Sequence, residues 1–284
     1  MVGGAFMKKL KHFLLLSVLL ANIALAQGPT RLHPGFNLFS KEQDVQLGKE
    51  SAAEVRKQMP IVKDPFLNEY VNRIGKRLAN SPEARDSGYP FTFEVVADPS
   101  INAFALPGGP MFINTGLLKA VDNEAQLAGV MGHEMSHVIL RHGTNQASKA
   151  QLIQLPAVLG SQVAGGSMVG KLAQVGIGLG ANSVLLKFSR SAESQADLMG
   201  SHLIADAGYD PIQMARFFEK LSAEGGGRAP QFLSSHPNPE NRDRAIQKEV
   251  SKLPRRSYSY QTGDFQRMKQ VANSIKEPAP PKAQ

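Results

Sequence analysis

The feature that most constrains the fold is the pentapeptide His133-Glu134-Met135-Ser136-His137, in which two histidines four residues apart enclose a glutamate. On a helix the side chains at i and i+4 lie one above the other, so both imidazoles can bind one zinc ion. The glutamate then lies beside the metal, where it can act as a general base. The pattern therefore predicts a helix whose polar face carries a catalytic zinc ion.

The flanking residues predict the helix that this chemistry needs. Apolar side chains recur at helical spacing at Ala125, Leu127, Ala128, Val130, Met131, Val138, Ile139 and Leu140. Asp122 opens the predicted helix, which runs to His142 and is stopped by Gly143. Polar groups in so apolar a helix need partners, which a metal ion and its water would supply. The competing interpretation is two hydrogen-bonded core histidines that flank a glutamate.

A catalytic zinc site has three protein ligands and one open position, so a third ligand must lie elsewhere. In zinc peptidases with the pattern HExxHxxGxxH it follows at once, but here Leu140 replaces the glycine and Gly143 replaces the last histidine. His142 comes five residues after His137, and at about 100° per residue a continuous helix turns it away from the face of His133. We therefore expect His142 to stay unligated.

A second helix is predicted from Ser189 to Gly208, and Glu193 and Asp197 share one of its faces. Glu193 can complete the zinc triad, while Asp197 accepts a hydrogen bond from the non-ligating nitrogen of His133. The alternative is an ordinary solvated acidic face. Because this pair accompanies the HEMSH motif, the metal interpretation is favoured.

Four stretches resemble the gluzincin peptidases of the HtpX-like, BepA-like and CAAX-prenyl-protease group. They are HEMSHVILRHG, FSRSAESQAD, the NAFALPGG segment at 102–109, and Ser235-His236-Pro237 with Arg242 following. All four occur in the family's order and together cover roughly residues 40 to 250. The resemblance implies a zinc endopeptidase with one Zn²⁺ per chain.

In that resemblance His133, His137 and Glu193 are the zinc ligands and Glu134 is the base. The strand that carries Asn102 and Ala103 borders the cleft in the family, so substrate could add to it as an extra strand. An ordinary hairpin that supports the metal helix is the alternative. His236 either stabilises the oxyanion or occupies the fourth zinc position as a reversible plug. Arg242 either hydrogen-bonds the substrate or braces its loop.

The predicted fold is α+β and mainly helical, a zincin-like metallopeptidase domain with a small antiparallel sheet beside the HExxH helix. Strands are predicted at 91–96, 101–106 and 111–114, with a Pro-Gly-Gly-Pro turn between the last two. Further helices are predicted at 41–58, opened by a Ser40/Gln43 capping box, at 65–79, opened by Asp64 and Pro65, and from Asp210-Pro211 to Glu224. A last helix is predicted to end near Lys252.

The amino terminus has the pattern of a secretory signal, because three lysines precede an apolar run from Phe13 to Ala26 that ends in Ala-Leu-Ala. We predict a signal peptide over 1–26, a metallopeptidase domain over 27–253, and a C-terminal extension over 254–284 whose end is disordered. The protein is therefore expected to be exported, to the periplasm if its source is bacterial. A retained signal anchor is the alternative.

Composition excludes other classes of protein. The chain has no cysteine, which excludes disulfides and a thiol nucleophile, and it has no GxSxG elbow. Without the first 26 residues the formal charge falls from +8 to +5, and no recognition motif accompanies it, so no nucleic-acid partner is expected.

Residues 151–186, between the two zinc motifs, carry one charge and many glycines. Polar side chains interrupt the segment, so we expect amphipathic helices or a loop beside the cleft, with membrane contact as the alternative.

The sequence thus predicts an exported zinc endopeptidase that degrades unfolded or misassembled polypeptides, with outer-membrane proteins as candidate substrates. Zinc would lower the pKa of its bound water, and Glu134 would take the water proton and later deliver it to the leaving amine. The alternative from another class is a latent or non-cleaving, chaperone-like module that binds such polypeptides in the same cleft.

Overall fold

The computed structural model describes residues 28–158, 187–224, 231–237, 241–254, 256–258 and 263–278. The strands there are β1 (Thr92–Val96), β2 (Ala103–Ala105) and β3 (Pro110–Asn114). The helices there are α1 (Lys41–Gln58), α2 (Pro65–Ala79), α3 (Pro82–Ser87), α4 (Thr115–Ala120), α5 (Glu124–Ile139), α6 (His142–Val158), α7 (Arg190–Asp206), α8 (Ile212–Glu224), α9 (Gln231–Ser235), α10 (Arg242–Val250) and α11 (Phe265–Ser274). The mainly helical α+β prediction is confirmed.

Several sequence predictions concern residues that the structure does not describe. The predicted signal peptide, residues 159–186 of the apolar segment and residues 279–284 of the predicted disordered end lie outside the described residues. Within the described ranges, no helix combines the length and the apolar character needed to cross a bilayer.

Side-chain caps explain where the main helices begin. The Ser40 hydroxyl accepts from Gln43 N while the Gln43 side chain accepts from Ser40 N, which forms the predicted capping box of α1. Asp64 caps α2, with Pro65 in its first turn. Asn123 and Ser189 accept hydrogen bonds from first-turn amides of α5 and α7. Local sequence therefore sets the start of both helices that carry the HExxH motif and Glu193.

The sheet is mixed, which corrects the prediction of a purely antiparallel one. Its order is β1-β3-β2; β2 pairs with β3 antiparallel, as expected for strands joined by a tight turn, but β1 pairs with β3 in parallel. The turn between β2 and β3 uses Gly108 and Gly109 at φ of 76° and 122°, which residues with a side chain rarely adopt. Because β3 lies between the other two strands, β2 is left at an edge of the sheet.

Alternating side chains divide the sheet between two apolar clusters. Phe93, Val95, Met111 and Ile113 face the main core, which also includes α2 and α5. Val96, Phe104, Leu106 and Phe112 face a smaller cluster built with Ala52 and Val55 of α1. This period of two is the pattern of a strand buried on both faces. The sheet is therefore held between α1 and the body that carries the HExxH helix.

Helix α5 lies at the centre of the protein, and each of its sixteen residues is buried. It ends at Ile139, three residues before the predicted end at His142. Arg141 follows in the left-handed region at φ 57°, and α6 starts at once with His142. Arg141 is held there because its Nε donates to Asp44 Oδ2 at 2.6 Å and its Nη2 donates to the Phe39 carbonyl at 2.5 Å.

Helix α11 packs on the body of the protein, although the sequence predicts no element after Lys252. Phe265, Met268 and Ala272 are buried in the main core, and the helix contacts α4 and α2. Residues 265–274, within the predicted C-terminal extension, thus belong to the folded body.

Candidate metal centre

The HExxH helix and the helix of Glu193 approach each other closely because both carry glycine at the crossing. A Cβ on Gly200 of α7 would lie 3.2 Å from His133 N, and one on Gly132 of α5 would lie 3.0 Å from Ile204 Cγ1. Small residues at a helix crossing let the backbones come near. The crossing brings Glu193, in the first turn of α7, to the histidines of α5.

Four side chains offer ligand atoms that lie within 4.8 Å of one another: His133, His137, Glu193 and His236, all buried. The Nε2 atoms of His133 and His137 are 3.1 Å apart. Glu193 Oε2 lies 3.3 Å from His133 Nε2, and its Oε1 lies 3.4 Å from His137 Nε2. No other such group occurs within the ranges that the structure describes. The three predicted ligands are thus brought together, with His236 as a fourth member.

The charges at this centre compensate one another. Burial raises the pKa of Glu193, but hydrogen bonds from His133, His137 and His236 outweigh it, so the pKa falls below its usual range. Burial lowers the pKa of His133, but hydrogen bonds to Asp197 and Glu193 raise it to about 9. Burial lowers the pKa of His137 well below its usual value. The raised pKa of His133 thus favours an imidazolium beside the carboxylates of Glu193 and Asp197.

Asp197 and Arg242 stand behind His133. The His133 Nδ1 lies 3.0 Å from Asp197 Oδ1, so its Nε2 is the atom turned to the other candidate ligands. Arg242 Nε donates to Asp197 Oδ2 at 2.6 Å, and its Nη2 donates to Glu193 Oε2 at 3.3 Å. The guanidinium is buried, 4.0 Å from the Phe218 ring centroid. These contacts favour the bracing role of Arg242 over direct contact with substrate.

Glu134 faces the cluster from α5. Its Oε2 accepts from the Ala105 N–H at 3.2 Å, while its Oε1 is buried and has no hydrogen-bond partner among the residues that the structure describes. That Oε1 lies 3.3 Å from His236 Nε2. Burial raises the pKa of the Glu134 carboxyl, which brings it nearer to the range suited to a general base.

His236 lies just after α9, inside the cluster. Its Nδ1 is 3.1 Å from Glu193 Oε1 and 3.3 Å from His133 Nε2. The ring stacks on Phe232 at 4.5 Å between centroids. His236 therefore stands among the ligand atoms, which is the arrangement expected of a plug.

A pocket opens beside Glu134 and His137, and Ala105, Leu106 and Pro107 line one side of it. Asn102 and Ala103, the predicted substrate residues, do not line this pocket: the Asn102 carbonyl accepts from Asn114 N inside the sheet, and Ala103 is fully buried. The chain therefore borders the pocket through Ala105, Leu106 and Pro107, which follow the predicted residues Asn102 and Ala103.

Two residues that the sequence analysis does not assign to the site lie behind His137: His142 contacts His137, and Gln195 contacts His142. The His142 Nδ1 lies 3.0 Å from His137 Nδ1, and the His142 Nε2 lies 3.2 Å from Gln195 Oε1. His142 is not among the grouped ligand atoms, but it does not point away, because the helix breaks at Arg141. The SRSAESQAD motif contains Gln195, two residues from both Glu193 and Asp197, and that spacing was the available signal.

Comparison with known proteins agrees with this geometry. The family model described as Peptidase family M48 matches residues 65–250. The chain is 35% identical over 207 residues to the Beta-barrel assembly-enhancing protease of Escherichia coli (strain K12). The aligned region covers 70% of this chain and 42% of that protein. It is 32% identical over 191 residues to the Metalloprotease LoiP of the same organism, which covers 66% of this chain and 73% of LoiP.

A third relative is the Mitochondrial metalloendopeptidase OMA1 of Schizosaccharomyces pombe, 32% identical over 180 residues, which covers 63% of this chain and 51% of that protein. The chain thus spans less than half the length of the assembly-enhancing protease that it matches. The family match covers more than half of the chain and includes the HExxH helix, Glu193 and His236. The chain therefore belongs to peptidase family M48.

Proposed function

We propose that this chain is a zinc-dependent endopeptidase that cleaves unfolded or misassembled exported proteins. The observation that carries the proposal is the buried group of His133, His137 and Glu193, with the carboxylate of Glu134 facing it. Two imidazole nitrogens and one carboxylate are a donor set that suits a catalytic zinc ion, and they leave a position for water. The residues present therefore fit the metal.

Each side chain then has a task in hydrolysis. When bound, the zinc ion would act as a Lewis acid on the attacking water and on the scissile carbonyl. Glu134 would accept the water proton at Oε1 and deliver it to the leaving amine. Asp197 and Arg242 would hold His133 and Glu193 in place, and the dense packing of α5 would exclude other water. Water attacks directly, so no acyl-enzyme forms.

The edge strand supports a broad substrate range. The backbone groups of Asn102 and Leu106 bond to β3, so the Ala105 N–H points the other way, toward Glu134. A substrate added along this edge would be bound through its main chain, which does not depend on side-chain sequence. Unfolded segments meet that requirement better than folded ones.

Export and the substrate class rest on further observations. The predicted signal peptide supports an exported protein, in the periplasm of a bacterial source, either soluble or in peripheral contact with a membrane. One relative is named for enhancing β-barrel assembly, which supports outer-membrane proteins as substrates. The chain would act on polypeptides and not on nucleic acid.

The position of His236 favours a second candidate, a latent form of the same enzyme. With its Nδ1 3.1 Å from Glu193 and its Nε2 3.3 Å from Glu134, the ring fills the place that water and substrate would need. In this state the chain could bind unfolded polypeptides without cutting them. Latency would require α9 to move before cleavage.

Removal and return of metal tests the proposed function. Casein cleavage by the purified protein should cease after zinc is stripped with a chelator and should return when one equivalent of zinc is added. Cleavage that survives complete removal of zinc would overturn the proposal. The same assay on a folded, stable protein should show little cleavage, which checks the preference for unfolded chains.

A further inference from the structure

We propose that His142 and Gln195 are positioning residues that fix the tautomer and the ring orientation of His137 for metal binding. The inference rests on the proposed zinc function and deepens it, because it assigns the support of one ligand. Neither residue offers an atom to the ligand group itself.

The geometry forms a chain of three polar groups. His137 turns Nε2 toward His133 and Glu193, while its Nδ1 lies 3.0 Å from His142 Nδ1. On the far side of the His142 ring, Nε2 lies 3.2 Å from Gln195 Oε1. Phe188 stacks on the His137 ring at 4.0 Å between centroids, so the ring is confined as well as hydrogen-bonded. His142 is the hydrogen-bond partner of His137 Nδ1 within the described part of the chain.

Metal binding determines where each proton must lie. If His137 Nε2 gives its lone pair to the metal, Nδ1 must carry the proton and donate it. His142 Nδ1 must then accept, so the proton of a neutral His142 ring lies on Nε2 and is donated to Gln195 Oε1. The opposite direction would place a proton on His137 Nε2 and block the metal. The Gln195 carbonyl thus selects the binding tautomer of His137 through His142.

Helix α7 holds both histidine ligands through residues at alternate positions. Glu193 is the ligand, Asp197 accepts from His133, and Gln195, between them, accepts from the ring behind His137. The groups behind His133 are charged, because they are the Asp197 carboxylate and the Arg242 guanidinium that bonds to it. The groups behind His137, the His142 ring and the Gln195 amide, are neutral.

A neutral support behind His137 fits the charge balance of the site. Zinc and Arg242 carry three positive charges, which match the carboxylates of Glu193, Asp197 and Glu134. A further buried carboxylate behind His137 would leave an uncompensated charge, which is costly in the interior. An amide acceptor gives the same direction of hydrogen bonding without that cost.

Zinc affinity, measured by competition with a chromogenic chelator, tests the inference without depending on cleavage. Gln195→Met keeps the length of the side chain but removes the acceptor, and His142→Phe keeps a ring but removes both nitrogens. Both should bind zinc about ten- to a hundredfold more weakly than the parent. The matched controls are Gln195→Glu, which keeps an acceptor and should therefore bind more tightly than Gln195→Met, and His142→Asn, whose amide oxygen can still accept from His137 and should recover part of the affinity.

A spectroscopic measurement on the unmodified sequence needs no variant to fold. Nitrogen-15 imidazole spectra of the zinc-loaded protein should show the His137 proton on Nδ1 and the His142 proton on Nε2. A His137 proton on Nε2, or zinc affinities of Gln195→Met and His142→Phe equal to the parent's, would overturn the inference while leaving the zinc site intact. A parent protein that binds no zinc would instead remove the proposed function together with this inference.

Discussion

At the scale of single residues, the metal centre contains one more candidate ligand than a catalytic zinc site requires. His236 approaches Glu193, Glu134 and His133 within 3.3 Å, and stacking on Phe232 holds its ring there. A fourth protein ligand would remove the open position that a catalytic site keeps. The residue that follows α9 can thus decide whether the site is open.

We expect His236→Ala to raise casein cleavage about tenfold, which corresponds to about 1.4 kcal/mol of preference for the closed form. The cause is the removal of the ring that occupies the fourth position. His33→Ala, at an exposed position, is the control and should leave the rate unchanged. If cleavage is instead lost in His236→Ala, the ring acts as an oxyanion stabiliser.

The candidate ligand residues could be named from the sequence because the spacing within each pair is local. His133 and His137 share a face through the i, i+4 spacing, and Glu193 and Asp197 repeat that spacing on α7. The role of His142 could not be predicted, since it depends on the break at Arg141. That break is fixed by Asp44 and the Phe39 carbonyl, about a hundred residues earlier in the chain, which no helical period reveals.

At the scale of elements, α1 supports the turn that ends the edge strand. A Cβ on Gly48 of α1 would lie 1.9 Å from the Pro107 carbonyl oxygen, so the helix and the β2–β3 turn are in backbone contact. Pro107 also lines the pocket beside Glu134. The family match begins at residue 65, so α1 supports the pocket from outside the matched region.

Gly48→Ala should lower the free energy of unfolding by about 1–3 kcal/mol, because the added methyl group forces backbone apart. Alanine inside a helix would otherwise favour folding by about 1 kcal/mol, so the sign is diagnostic. Urea unfolding measures the change. Gly28→Ala, where a Cβ meets nothing within 4 Å, is the control. A Gly48→Ala protein as stable as the parent would show that α1 does not press on the turn.

Whether a segment forms a helix or a strand could be predicted more readily than how the strands pair. The strands and the capped helices follow from alternation, turn glycines and cap residues. The parallel pairing of β1 with β3 could not be predicted from the turn alone, because it depends on where the 97–102 connection leads. Helix α11 was missed because its short amphipathic pattern, with Phe265 and Met268 buried, follows residues of mixed composition.

At the scale of the whole molecule, a buried ionic group ties distant segments together. His202 of α7 lies 2.8 Å from Glu249 of α10 and 3.4 Å from Glu83 of α3. The Thr30 hydroxyl donates to Glu249 at 2.7 Å, which adds the N-terminal segment. These contacts fasten the N-terminal segment, α3 and α10 to the helix that carries Glu193.

This group should make stability depend on pH. Burial lowers the pKa of His202, but hydrogen bonds to Glu83 and Glu249 outweigh it and raise the pKa above its usual value. Because the pKa of His202 is higher in the folded protein than in the unfolded chain, protonation of His202 stabilises the fold. This stabilisation is complete below about pH 6.5, the pKa in the unfolded chain, and is lost as the pH rises through the pKa in the folded protein. Burial raises the pKa of Glu249, but hydrogen bonds from Lys252, Thr30 and His202 lower it to about 2, so it stays charged in this window.

The stability difference between the parent and His202→Gln should therefore be largest near pH 6 and shrink toward pH 9. Urea unfolding of both proteins across that range measures it, with zinc removed so that metal binding does not contribute. A difference that stays constant or grows with pH would contradict the assigned contacts of His202.

The zinc site and its base are tested together by measuring zinc content and cleavage of an unfolded protein, for residues 27–284 of the parent and of Glu134→Gln. We predict about one zinc per chain in both, since Glu134 is not a ligand, and a loss of cleavage of about 10²- to 10⁴-fold in the variant. Zinc without cleavage in either protein would leave a latent enzyme or a binding module. Absence of zinc from the parent would show that His133, His137 and Glu193 do not form a zinc site.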